Sequence, residues 1–122
     1  MGVAVGSPVT GRVVVITGGG TGIGAAIAER YAAEGAHIVV VGRRPEPLLA
    51  VASAVGGRAI VADAADTASA RAAVAEVLST FGRLDVLVAN AGGHGFAPVA
   101  DTDDDSWDAA IRANVTTAFV MA

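Results

Sequence analysis

The stretch VVVITGGGTGIG, Val13 to Gly24, runs from a β-branched apolar block into five glycines within eight residues. Val, Ile and Thr favour extended backbone, whereas clustered glycine permits turns and close approaches that a side chain forbids. Beyond the turn the apolar spacing changes: Ile23, Ile27 and Tyr31 recur at helical intervals, with Glu29, Arg30 and Glu34 left for solvent. The reading is strand, tight turn, amphipathic helix. Such a turn gathers several backbone N–H groups and the positive end of a helix at one point, which suits a pyrophosphate.

The same grammar continues downstream. IVVV (38 to 41), AIVA (59 to 62) and LDVLVA (84 to 89) are nearly continuous in Val, Ile, Leu and Ala, as strands buried on both faces are. Between the four strands lie helical stretches over 22–35, 45–57 and 67–82, closing on Gly35, Gly56 and Gly82, where a left-handed residue is favoured. Strict alternation of strand and helix predicts an α/β class: a Rossmann-like parallel sheet with helices on both faces, in one domain over 1–122. The doubly wound order begins 3-2-1-4 and needs further strands, so about four strands make an incomplete sheet with strand 4 at an uncovered edge.

A last element spans 102–122. Thr102 is expected to cap it, Asp103, Asp104 and Asp105 to face its positive end, and Trp107, Ile111, Val115, Ala118 and Phe119 to form its apolar stripe. No glycine, proline or basic residue closes this helix before Ala122, so the expectation is a C-terminally truncated chain.

Composition excludes several classes. The net charge is −4 and all eight basic residues are arginine, which argues against nucleic acid or an anionic membrane as partner. Zero cysteines remove disulfides and thiolate chemistry and fit a cytoplasmic protein. The leader MGVAVGSPVTGR lacks a signal-peptide pattern, and no apolar run nears the ~18 residues of a membrane span.

Thr17-Gly18-x-x-x-Gly22-x-Gly24, Asp63 after the third strand, Ala89-Asn90-Ala91-Gly92-Gly93 after the fourth and Asn114 in the last helix occur in that order. In these motifs the chain resembles the short-chain dehydrogenase/reductase family over essentially its whole length, as the N-terminal cofactor-binding portion. The resemblance implies that Thr17, Gly18, Thr21, Gly22, Ile23 and Gly24 bind the cofactor, from its pyrophosphate toward the nicotinamide side. It also implies that Asp63 meets the adenine amino group with Ala64 beside it, and that Asn90, Ala91 and Gly92 support the sheet near a cofactor ribose. Ala89 departs from the commoner NNAG form of that turn. Asn114 carries over as the family's catalytic asparagine, though its position on the Trp107, Ile111 and Ala118 face equally suits a buried structural residue. The complete protein would then bind a small carbonyl or alcohol substrate and form a homo-oligomer.

Gly42-Arg43-Arg44 bears on the choice of nucleotide. An acid after the second strand grips the ribose of NAD, whereas a nearby arginine receives the 2′-phosphate of NADP. Gly42 takes the acidic position and Arg43, with Arg44, offers charge-assisted hydrogen bonds, so NADP(H) is favoured over NAD(H). The missing acid also weakens a methyltransferase reading of the glycine loop.

Reduction of a carbonyl needs a proton donor for the developing alkoxide. The family has a serine and Tyr-x-x-x-Lys beyond the asparagine; here no serine follows Ser106, the sole tyrosine is Tyr31, and lysine is absent. Two functions therefore stay open: the NADP-binding portion of an oxidoreductase, catalytically incompetent alone, and a non-catalytic nucleotide-binding or assembly module. His94, after the Asn90 turn, and His37 read as ordinary loop and strand-edge residues, and the run Asp101 to Asp105 as a helix start, with no metal site.

Overall fold

The structure, a computed structural model, describes residues 7–93, 95 and 97–122. Strands β1 (Val13–Thr17), β2 (His37–Gly42), β3 (Arg58–Val61) and β4 (Val86–Val88) alternate with helices α1 (Gly22–Ala33), α2 (Pro45–Val55) and α3 (Thr67–Phe81). All pairings are parallel, in the order β3-β2-β1-β4. The chain winds outward from β1 to β3, then returns to place β4 on the other side of β1. That reversal of direction creates the crevice in which open α/β sheets hold ligands.

The alternation of side chains across a strand explains why β1 and β2 contain almost nothing but Val and Ile. Val13, Val15, Val39 and Val41 face one layer with Ile60, Ala73 and Val77, whereas Val14, Ile16, Ile38 and Val40 face the other with Ala28, Leu48 and Ala52. Both faces are covered, so neither can carry polar residues. Beneath the sheet Asp85 fastens the starts of two strands. Its Oδ2 accepts from the Val13 N–H at 2.8 Å, while Oδ1 accepts from Arg83 at 2.7 Å and Arg12 at 3.4 Å.

Gly35, Gly56 and Gly82 all adopt positive φ, as expected where helices must stop. Two expectations for helix faces are corrected. Ile23 is 74% exposed rather than part of the buried stripe of α1, which is made by Gly24, Ile27, Ala28, Tyr31 and Ala32.

The last helix is interrupted. It starts as α4 (Asp104–Ile111), widens into a π-helical turn over Arg112–Thr116 and resumes as α5 (Thr117–Met121). Asn114 Nδ2 donates to the Ala110 carbonyl at 3.0 Å and the Thr117 hydroxyl to the Ala113 carbonyl at 2.8 Å, so side chains compete for the carbonyls of the ladder just where it widens. Its cap is Asp103, whose side chain accepts from the Ser106 N–H at 2.8 Å; Thr102, expected there, donates instead to the Pro98 carbonyl. The expected apolar stripe faces outward: Trp107 is 61%, Val115 55% and Phe119 82% exposed, while Thr117 and Met121 are buried. Met121 packs with Ala64 and Ala70, because the small residues of α3 leave room for it.

Candidate functional site

A cleft of about 680 Å³ opens at the carboxyl ends of the strands, at the reversal between β1 and β4. Each strand contributes through the loop that follows it: Gly18 and Thr21 after β1, Arg43 and Arg44 after β2, Asp63 and Ala64 after β3, Ala91 and Gly92 after β4. Segments far apart in sequence converge because parallel strands place all their carboxyl ends on one side.

The glycines divide the work. Gly18 has φ +65°, and a Cβ there would stand 3.1 Å from both the Ala91 Cα and the Asn90 Nδ2. A Cβ on Gly24 would collide with the Gly18 carbonyl oxygen, so this glycine lets α1 pack against the turn. Gly22 has φ +52° with open space before it, a conformation L side chains rarely adopt. Gly19 and Gly20, assigned no role from sequence, lie against Val40 and against Pro47 and Leu48.

Thr17 lies beneath the cleft and is fully buried. Its hydroxyl accepts from the N–H groups of Asn90 and Ala91, both at 3.1 Å, and Asn90 Nδ2 donates to the Gly18 carbonyl at 3.2 Å. The two turns that flank the cleft are thereby one hydrogen-bonded unit. Thr17, Gly22, Ile23, Gly24, Asn90 and Asn114 lie outside the wall that Gly18, Thr21, Arg43, Arg44, Asp63, Ala64, Ala91 and Gly92 help to form.

Thr21, which precedes α1, offers it no side-chain cap and the first turn holds no acid, whereas Asp66 and Asp103 cap α3 and α4. The first N–H groups of α1 are thus left for a ligand at the edge of the cleft. That uncapped start and the open space before Gly22 fit a pyrophosphate.

Asp63 is held rigidly. Its N–H donates to the Ser69 hydroxyl at 2.8 Å, Oδ1 accepts from the Ala65 N–H at 2.9 Å, and Oδ2 accepts from Arg112 Nη2 at 3.1 Å. The Ala65 N–H lowers its pKa most, partial burial opposes this, and the cations of Arg112 and Arg43 lower it further. Arg112 was not singled out from sequence. Ala109, Arg112 and Ala113 share one helical face toward the cleft, a spacing legible in the sequence, but the partner 49 residues away is not.

Asn114 is exposed rather than buried. Its Nδ2 donates to the Gly93 carbonyl at 2.7 Å and its Oδ1 accepts from the Gly93 N–H at 3.2 Å, which ties the π-helical turn to the loop after β4. His94 lies outside the described residues. His37 starts β2, with its ring 5.7 Å from that of Phe81. Among the described residues no acidic or histidine cluster could hold a metal, and no helix is long and apolar enough to cross a membrane.

A parallel sheet wound in this order, with a glycine turn and an uncapped helix start at its switch point, defines a Rossmann-like nucleotide-binding protein. The family model for short chain dehydrogenases matches residues 12–122, and the chain belongs to that family. It is 40% identical over 116 residues to D-threitol dehydrogenase of Mycolicibacterium smegmatis, covering 91% of this chain and 45% of that protein. It is 45% identical over 116 residues to a hydroxy-methyl-oxo-hexahydro-indene-carboxyl-CoA reductase of Mycobacterium tuberculosis, covering 89% of this chain and 44% of that protein. Among solved structures, the 3-ketoacyl-(acyl-carrier-protein) reductase of Brucella melitensis complexed with NADH superimposes with a TM-score of 0.88 at 34% identity, over 93% of this chain and 48% of that one. The chain spans about 45% of the length of the curated relatives it matches.

Proposed function

We propose that this chain is the NADP-binding portion, over residues 1–122, of an oxidoreductase that transfers hydride between NADP(H) and a carbonyl or alcohol group. The uncapped N-terminus of α1 at the glycine turn carries this reading, because it is the anion site around which the other cleft residues are arranged. The dinucleotide supplies the hydride. Gly18, Thr21, Gly22 and Gly24 shape the pyrophosphate site above Thr17, with Ile23 at its border toward the nicotinamide. Asp63, next to Ala64, accepts from the adenine amino group, and Asn90, Ala91 and Gly92 form the floor beside a ribose. Both polar atoms of the Asn114 amide are engaged by Gly93. It therefore acts as a positioning residue, holding the loop after β4 against the cleft where the reaction would occur.

The choice of NADP rests on the end of β2. Gly42 offers no carboxylate to a ribose 2′-hydroxyl, and Arg43 and Arg44 stand at the cleft with guanidinium groups suited to a 2′-phosphate. The complete protein is proposed to be cytoplasmic and homo-oligomeric, with a small-molecule substrate. A second reading, a nucleotide-binding or assembly module without catalysis, draws on the absence of lysine and on the sole tyrosine, Tyr31, which packs against the sheet.

Calorimetric titration of the chain with NADPH and NADH tests the proposal. NADPH is expected to bind more tightly, and Arg43→Ala to weaken NADPH alone by about 1–3 kcal/mol. Equal affinities before and after the substitution would remove the basis for NADP preference.

A further inference from the structure

The ion pair between Asp63 and Arg112 faces the cleft with an unused pattern of donors and acceptors. Asp63 enters from the end of β3 and Arg112 from the π-helical turn, and both line the same wall. The Ala65 N–H fixes Oδ1, which leaves Oδ2 directed to Arg112 Nη2 at 3.1 Å. The Arg112 side chain is 56% and that of Asp63 36% exposed, so the pair adds little to folding stability. Of the five guanidinium N–H donors, one binds Asp63, and no other hydrogen bond of this side chain is made among the described residues.

A carboxylate oxygen beside a guanidinium presents an acceptor next to a donor. Adenine presents the complement, an amino donor next to a ring-nitrogen acceptor, whereas a 6-oxo purine turns a carbonyl acceptor toward the same place. Asp63 alone would distinguish the two only by one contact. With Arg112 fixed beside it, both positions of the base edge are read.

We propose that Arg112 is a specificity-determining residue, which with Asp63 reads the base edge of the bound dinucleotide and selects a 6-amino purine. Asp63 Oδ2 accepts from the exocyclic amino group while a free N–H of Arg112 donates to the adjacent ring nitrogen, and the ion pair keeps the two in register. The inference rests on the dinucleotide reading above, to which it adds a residue and a selectivity.

The test is calorimetric titration of the full chain with NADPH and with its hypoxanthine counterpart, in which a carbonyl replaces the 6-amino group. Wild type, Arg112→Met and Arg112→Gln are compared after circular dichroism has confirmed that they fold alike. Wild type is expected to prefer the adenine form about tenfold. Arg112→Met should reduce that preference to about twofold by weakening the adenine form selectively, with Arg112→Gln, which keeps one donor, in between. Should Arg112→Met not fold, the ratio for Arg112→Gln against wild type decides. A ratio near one in wild type, or an unchanged ratio in the folded variants, would overturn the role of Arg112 while leaving dinucleotide binding intact. Failure of wild type to bind either dinucleotide would overturn the underlying reading and this inference with it.

Discussion

Thr17 shows how one hydroxyl can set the shape of a site without touching its ligand. It receives two backbone N–H groups from the turn after β4, in a fully buried position. Thr17→Val keeps the volume but leaves those donors unsatisfied, which costs about 1–3 kcal/mol; Thr17→Ser should recover most of it, and urea denaturation of both variants checks the difference. Asp85 carries a pH dependence at the opposite end of the sheet. Hydrogen bonds from Arg83 and the Val13 N–H lower its pKa from 3.8 to about 2. A folded pKa below the unfolded value means that Asp85 stabilises the fold above about pH 4 and loses this effect as pH falls toward 2. Asp85→Asn should therefore flatten the acid side of the melting-temperature profile; a profile identical to wild type between pH 5 and about 2 would exclude Asp85 from acid unfolding.

At the scale of elements, β-branched runs and helix-closing glycines were legible because their causes are local. Val13 to Thr17 could be read to the residue, and the αL positions of Gly56 and Gly82 follow from backbone sterics alone. The last helix was legible in existence but not in orientation. Its most apolar face is the exposed one, since α3 presents small residues, Ala70 among them, and accepts Met121 instead. Within the π-helical turn Asn114 also bonds Gly93, a contact across 21 residues that no local pattern announces. Conversely, the Asp66 cap of α3 is local: its side chain accepts from the Ser69 N–H, and Asp66→Ala should cost about 0.5–2 kcal/mol in a thermal or urea melt. A loss well outside that range would mean that Asp66 does more than cap.

For the whole molecule, the fold brings Gly18, Arg43, Asp63 and Ala91 to one cleft, as their positions after successive strands implied. Trp107, Val115 and Phe119 are exposed among the described residues, and apolar surface of this kind drives association. Sedimentation should show concentration-dependent self-association, reduced in the double variant Trp107→Glu, Phe119→Lys; a strictly monomeric wild type would count against the proposed oligomer. Because no lysine and no tyrosine other than the packed Tyr31 is present, loss of a general acid worth ~10²–10⁴-fold should leave carbonyl reduction by this chain near background. Ketone turnover with NADPH above a protein-free control would show chemistry in another part of the fold.

Amide chemical-shift mapping during titration with NADPH would locate the dinucleotide in this cleft. Saturable shifts are expected at Gly18 to Gly24, Asp63 to Ala65 and Asn90 to Gly93, with Arg12, Arg83 and Asp85 beneath the sheet unaffected. No saturable shifts, or shifts centred on the groove between Pro8, Ile27 and Tyr31, would contradict it.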